Sequence, residues 1–175
     1  MPVALGLLLT CVGAAQAQPS GSASIAGEVR AAYRAELLAV SAPSGVSVRV
    51  EPQGLAELAI FTANSTPVSQ PVVLRIALRT NAPAYRLLAT PTDSSAPLAA
   101  STTVIAATGA RTAPEAVSSF APISSPSLAG TQAIARGARI SMSGRFTDAD
   151  NAILIEVTLL LPAKSTGGVR LSMGS

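Results

Sequence analysis

The chain has 175 residues, and its composition excludes several classes of chemistry. It contains no histidine and one cysteine, and its formal net charge is +3. Without histidine, a Ser-His-Asp or Cys-His centre cannot form, and the usual imidazole ligands for zinc or iron are missing. The mild basic excess is spread along a chain with three phenylalanines and two tyrosines. Nucleic-acid binders concentrate their charge and interleave stacking aromatic rings, so we expect no nucleic-acid partner.

The N-terminal segment predicts export. An apolar run from Val3 to Ala15 ends in Ala15-Gln16-Ala17, a small-x-small pattern that signal peptidase cleaves. The run is too short to cross a bilayer, which takes about 20 apolar residues. Residues 1–17 are therefore predicted to be a signal peptide, and the mature chain is secreted, periplasmic or at the cell surface, with no stable membrane insertion. A buried N-terminal element is the alternative, and no basic residue precedes the run, which leaves the true start codon open.

Cys11 lies inside the apolar run and raises lipidation as an alternative. The preceding residues, Leu8-Leu9-Thr10, match a bacterial lipobox loosely, because that motif has a small residue beside the cysteine. Cleavage after Ala17 leaves a mature chain without cysteine, which its core alone must stabilise. A chain of about 158 residues buries roughly 70% of its extended surface, which is enough for one domain. We predict a single domain over residues 18–175.

The first part of the mature chain reads as short strands. Residues 25–39 alternate apolar and polar side chains, which favours extended structure, although their helix-forming composition leaves a helix open. Val46, Val48 and Val50 alternate with polar residues up to the turn at Pro52-Gln53-Gly54, and residues 55–62 follow as another strand.

The segment Val72 to Thr80 is a further predicted strand, with Arg75 and Arg79 on the face opposite its apolar residues. Asn81-Ala82-Pro83 turns the chain, and the alternation from Tyr85 to Ala89 suggests the partner strand of a hairpin.

Residues 90–135 are rich in Ser, Thr, Ala and Pro, and we predict a long connection between two sheets with little regular structure. Thr103 to Ala107 is a candidate short strand, and Phe120 to Ile123 an edge strand or a covering loop. The same composition leaves a linker or an O-glycosylated stalk open.

The C-terminal part has the densest alternation. Residues 138–146 and 152–161 are predicted to form a hairpin, and residues 169–173 a final strand. Short strands separated by Gly, Pro and Asn turns indicate an all-β fold, an antiparallel β-sandwich of immunoglobulin-like or pilin-like form. The apolar positions of the hairpin should lie at the centre of its core: Ile140, Met142, Phe146, Ile153, Ile155, Val157 and Leu159.

No catalytic, cofactor-binding or metal-binding residue is nominated. The chain has no Gly-x-Ser-x-Gly elbow, phosphate-binding loop or dinucleotide-binding turn, and its single lysine, Lys164, has no serine three residues before it. Nine scattered acids do not suggest a carboxylate pair. Asp148, Asp150 and Asn151 are a candidate calcium loop, but Ile153 and Leu159 stand where a helix-loop-helix calcium site has Gly and Glu. A tight turn is the favoured interpretation.

Two features of the predicted surface each have a functional and a structural interpretation. Asn64-Ser65-Thr66 fits the N-glycosylation pattern, although a loop between strands is the favoured role. Arginines on strand faces are candidates for binding an acidic polymer, although such residues are more often the solvated side of a sheet.

The segment Leu74 to Leu87 runs from an apolar strand through Thr80-Asn81 to a strand that contains Tyr85. With the final hairpin, it resembles exported bacterial β-sandwich proteins of the spore-coat-U and pilin-like kind. Those families usually carry a disulfide, which the mature chain lacks. The resemblance implies a structural or adhesive role at a surface, with a protein or an envelope polymer as partner, and leaves strand exchange open. A β-sandwich module that binds a ligand or polysaccharide is the alternative function.

Overall fold

A computed structural model describes residues 30–92, 98–108, 114–116, 121–123, 131–138 and 152–175. These residues form two antiparallel sheets packed face to face, so the predicted β-sandwich is confirmed. The strands are β1 (Tyr33–Ser41), β2 (Val46–Pro52), β3 (Glu57–Asn64), β4 (Gln70–Thr80), β5 (Ala84–Pro91), β6 (Leu98–Thr108), β7 (Glu115–Ala116), β8 (Ala121–Ile123), β9 (Gln132–Ala138), β10 (Ala152–Leu161) and β11 (Ser165–Gly174).

The two sheets differ in width. Sheet A has the order β1-β4-β10-β6-β8, and sheet B has the order β2-β3-β11-β5-β9-β7. Across the layers, β1 contacts β3 and β11. Because β2 is the next strand outward from β3, sheet B projects beyond sheet A on this side of the molecule.

The core forms where alternating apolar side chains of both sheets meet. Leu74, Ile76 and Leu78 of β4 are fully buried, as are Leu87 of β5 and Leu171 of β11. Period-two alternation places one set of side chains of each strand on the inner face. The strand prediction for residues 152–161 is confirmed, and its four predicted core residues are at most 1% exposed: Ile153, Ile155, Val157 and Leu159.

Almost every connection crosses between the sheets, and among the described strands only β2 and β3 follow each other within one sheet. The predicted hairpin of β4 with β5 is therefore wrong: β4 pairs with β1 and β10, while β5 pairs with β11 and β9.

Side-chain hydrogen bonds connect the turn between β4 and β5 to the residues just before β1. The Thr80 hydroxyl donates to Ala32 O at 2.7 Å, and Asn81 Nδ2 donates to Arg30 O at 2.9 Å.

The prediction of little regular structure over residues 90–135 is also wrong for the described part. Strand β6 lies beside β10 in sheet A, and β9 lies beside β5 in sheet B. Small residues such as Ala and Thr give a weak pattern, but pairing with a neighbouring strand still satisfies their backbone groups. A register shift opposite Leu154 and Ile155 leaves Ile105 as the extra residue of a bulge, which accounts for its 50% exposure.

The remaining strand predictions have different outcomes in different parts of the chain. Residues 33–39 are extended and belong to β1, so the helical alternative is wrong there. The segment at 120–123 contains β8, which lies at the edge of sheet A. The predicted strand at 138–146 is described only at Ala138, the last residue of β9. Ile140, Met142 and Phe146 lie outside the described residues, as do the signal peptide and Cys11.

A buried tyrosine packs on a glycine in sheet B. Tyr85 of β5 is 1% exposed and lies directly opposite Gly137 of β9. A Cβ atom at Gly137 would come within 2.8 Å of the Tyr85 hydroxyl, so glycine is required for this close approach. Burial raises the pKa of Tyr85 to about 12. Among the described residues, the Tyr85 hydroxyl has no hydrogen-bond partner.

Candidate interaction site

The projecting side of the sandwich carries two edge strands, β1 of sheet A and β2 of sheet B. A cleft of about 400 Å³ lies beside them. Its apolar lining includes Leu37, Val50, Leu55 and Leu58, and its polar lining includes Arg34 and Glu36. This side therefore combines exposed strand edges with a recess of mixed chemistry.

The turn between β2 and β3 closes one end of this cleft and shields β1. Gly54 has a φ of 105°, a conformation that residues with a side chain rarely adopt. The turn places Leu55 O 2.8 Å from Ala35 N, so the N–H of Ala35 donates to Leu55. Met173 N donates to Ala56 O, also at 2.8 Å. One short turn thus contacts edge strand β1 of sheet A and the inner strand β11 of sheet B.

Strand β1 is a blunted edge. Besides the bond from Ala35 to Leu55, it carries a register shift between Leu37 and Ala39. A bulge of this kind interrupts the regular ladder that a partner strand needs. Leu38, the extra residue of the bulge, and Val40 beyond it are 38% and 41% exposed. A regular partner strand would therefore find few usable backbone groups on β1.

Strand β2 is a regular edge. Its pairing with β3 runs from Val46 to Pro52 without a shift in register. Two backbone hydrogen bonds fix the direction of its peptide groups: Ser65 N donates to Gly45 O, and Gln53 N donates to Glu57 O, each at 2.9 Å. Peptide groups of an antiparallel strand alternate between its two neighbours. The N–H and C=O groups of the odd-numbered residues of β2 therefore point toward β3, and those of the even-numbered residues point away from the sheet.

Two of the outward-facing residues of β2, Val46 and Pro52, offer no N–H group to a partner strand. Val46 N already donates to Pro43 O at 3.2 Å, and Pro52 has no N–H. Val48 and Val50 remain as outward N–H donors, and within the part of the chain that the structure describes neither has a partner strand on that side. The arrangement offers two donors and several carbonyl acceptors to an added strand.

The charged side chains of the described strands are largely paired with each other. Arg75 contacts Glu156 at 3.3 Å, and Arg170 contacts Glu57 at 2.9 Å. Two further pairs are Arg49 with Glu51 and Arg136 with Glu115. Arg49 also lies over the ring of Phe61, 4.6 Å from its centroid. Each of these four carboxylates contacts an arginine, which favours the solvated-face interpretation of these four arginines over an acidic-polymer site, whereas Arg79 of β4 is 1% exposed and does not lie on a solvated face.

The glycosylation pattern is not presented at the surface. Asn64 ends β3 and is 2% exposed. Its Nδ2 atom donates to Val68 O at 2.9 Å and to Pro162 O at 2.8 Å, and its Oδ1 atom accepts from Thr66 N at 2.9 Å. The nitrogen that a glycan would modify is thus buried and bonded. Asn64 joins the β3–β4 and β10–β11 connections, which agrees with its predicted role between strands.

The predicted calcium loop at Asp148, Asp150 and Asn151 lies outside the described residues. Within the described ranges, no group of three or more His, Cys, Asp or Glu side chains is placed to hold a metal ion. The same residues contain no helix long and apolar enough to cross a membrane.

Sequence reasoning did not find the cleft or the contact of Leu55 with β1. The available signal is local: Gly54 allows a tight turn, and Leu55 is an apolar residue beside it, 67% exposed in the structure. The partner, Ala35, lies 20 residues away in the other sheet, a distance that no local pattern spans.

No protein-family model, curated protein or solved structure matches the chain.

Proposed function

We propose that this chain is an exported, non-catalytic structural or adhesive protein that works outside the cytoplasm through the β2 edge. The observation that carries the proposal is the regular edge of β2, where Val48 and Val50 direct their N–H groups outward. Sheet B projects past sheet A at this edge, so a partner strand reaches β2 without meeting β1. Strand addition of this kind gains affinity from main-chain hydrogen bonds.

Export adds independent support from the sequence. The apolar run and the Ala15-Gln16-Ala17 pattern match a signal peptide, and the resemblance to spore-coat-U and pilin-like proteins implies a surface role. The partner is a protein strand or an envelope polymer. The pairing of surface arginines with glutamates favours recognition through backbone groups over recognition through free charge.

The test compares the full chain with Val48→Pro in exporting cells. Proline at position 48 removes an outward N–H and leaves the bonds of β2 with β3 in place. Val68→Pro is the control, because Val68 is 56% exposed in the connection between β3 and β4. We expect all three chains to be exported and cleaved after Ala17, with only the Val48→Pro chain released from the cell envelope into the medium.

Two results would overturn this proposal. One is recovery of the parent chain in the cytoplasm with residues 1–17 intact. The other is equal retention of the Val48→Pro chain and the parent on the envelope, provided that their melting temperatures agree.

The second candidate is a binding module for a small ligand or a polysaccharide. The cleft beside Leu37, Val50 and Leu55 favours it, because its apolar wall and the nearby Arg34 and Glu36 are the mixture found in ligand sites. Ligand binding predicts saturable stabilisation of a monomer, whereas strand addition predicts association that depends on protein concentration.

A further inference from the structure

We infer that the β2 edge pairs with β2 of a second copy of this chain, in an antiparallel register centred on Val50. The inference deepens the proposed function, because it names the partner of the same edge. Three features of the structure carry it: the backbone donors of β2, the charge pattern of its outer face, and the position of β2 relative to sheet A.

The backbone donors fit a self-paired strand. With Val50 opposite Val50 of the second copy, each Val50 N–H reaches the other Val50 carbonyl. Val48 then lies opposite Pro52, so each Val48 N–H reaches a Pro52 carbonyl. Because proline lacks an N–H, each Val48–Pro52 pair makes one hydrogen bond instead of two, and the Val48 carbonyl at each end of the ladder stays exposed to water. Both outward donors of β2 that are not already bonded to Pro43 therefore find an acceptor in each copy.

The side chains select this register from its neighbours. Arg49 and Glu51 share the outer face of β2, and their side chains are 67% and 40% exposed. Centring on Val50 places Arg49 of each copy directly opposite Glu51 of the other. A shift by one pair, centred on Arg49, would place the two arginines opposite each other. Opposite charges that face each other across strands stabilise pairing, and like charges oppose it.

The fold also admits a second sandwich at β2 and excludes one at β1. A two-fold axis normal to the sheets relates two antiparallel edge strands, so each layer continues into the same layer of the second copy. Pairing at β1 would drive each projecting β2 into sheet B of the other copy, because β1 lies over β3 and β11. Pairing at β2 joins the two B sheets, and the A sheets stay apart.

The experiment uses charge variants of the exported protein, purified from cells that express the full chain. Glu51→Arg gives a copy with two arginines on this edge, and Arg49→Glu gives a copy with two glutamates. Each variant alone should dimerise with a Kd raised about tenfold over the parent, because attractive pairs become repulsive. An equimolar mixture should recover association, since each Arg then faces a Glu. Sedimentation velocity over a concentration series measures all four samples.

A matched control uses an ion pair between two inner strands of sheet B. Arg170 and Glu57 form the same kind of contact on strands β11 and β3, which are both paired on two sides. Arg170→Glu and Glu57→Arg, alone or mixed, should associate as the parent does.

The inference falls if the parent stays monomeric up to about 1 mM, a concentration at which even weak association is visible. It also falls if the two edge variants dimerise as the parent does, or if their mixture does not recover association. A monomeric parent whose retention on the envelope still needs Val48 would leave the proposed function standing with another partner. A dimer that shows the expected charge pattern but is not retained on the envelope would support this inference and contradict the proposed function.

Discussion

The centre of sheet A and the projecting side of the sandwich show two uses of the same alternating pattern. Strand β10 lies between β4 and β6, and its inner residues, such as Leu159, are fully buried. Strand β2 has an equally regular alternation, yet Val46, Val48 and Val50 are only partly buried, and one side of its backbone has no neighbouring strand among the described residues. Alternation therefore determines which side chains face inward, while the position in the sheet determines how much each one contributes.

The two edge strands on the projecting side, β1 and β2, also differ from each other. Strand β1 is protected by a bulge and by the bond from Ala35 to Leu55, whereas β2 is regular over its whole length. Proteins commonly protect sheet edges against unwanted pairing. The protected β1 edge beside the open β2 edge agrees with the proposed strand addition at β2.

The largest expected effect compares one substitution in both regions. Leu159→Ala at the centre should lower the free energy of unfolding by about 2–5 kcal/mol, because it removes buried methyl groups and leaves a cavity. Leu37→Ala on β1 should cost roughly 1 kcal/mol, since water already reaches this partly buried side chain. Urea denaturation of both variants measures the difference. Equal losses would show that the edge is packed as tightly as the centre.

A pH titration sharpens the description of the core. The folded chain keeps the Tyr85 proton up to a pKa of about 12, whereas an unfolded tyrosine loses it near pH 10. Between these values the unfolded state holds fewer protons, so stability should fall as pH rises, by on the order of 2 kcal/mol in total. The contribution is complete below pH 10 and lost above pH 12.

Tyr85→Phe isolates this effect. The difference in unfolding free energy between parent and variant, measured from pH 9 to pH 12, should shift in favour of the variant. At neutral pH the variant should match the parent or exceed it, because it removes a buried hydroxyl that has no partner among the described residues. Parallel curves over the whole range would contradict a buried, protonated Tyr85.

The smallest expected effect concerns the outer face of β10. Glu156 contacts Arg75 at 3.3 Å, and both side chains are partly exposed to water. Glu156→Gln should lower stability by about 0.5 kcal/mol or less, since exposed ion pairs contribute little. The difference in stability between parent and variant should disappear in 1 M NaCl, because the Debye length is then only about 3 Å. A loss as large as that of Leu159→Ala would mean that this face is not solvated.

The sequence by itself determined the strands with strong alternation and the face that each one buries. Val72 to Thr80 and Ala152 to Leu161 appear in the structure as β4 and β10, with the expected apolar residues inside, although Arg79, which alternation predicts on the outer face of β4, is 1% exposed. The reason is local: successive side chains of a strand point to opposite faces, so a run of alternating polarity specifies both strand and face. The absence of histidine, and with it the absence of imidazole chemistry, is likewise fixed by the sequence alone.

Only the tertiary structure decided which strands are neighbours. Alternation is the same for a hairpin and for a chain that crosses between sheets, so the sequence predicts a hairpin turn at Asn81-Ala82-Pro83, although this turn joins sheet A to sheet B. Residues 98–108 show why a weak pattern misleads, because their small side chains become part of an inner strand through pairing with β10. The burial of Asn64, the contact of Leu55 with Ala35 and the projection of β2 all depend on residues far apart in the chain, where long-range packing decides the contacts.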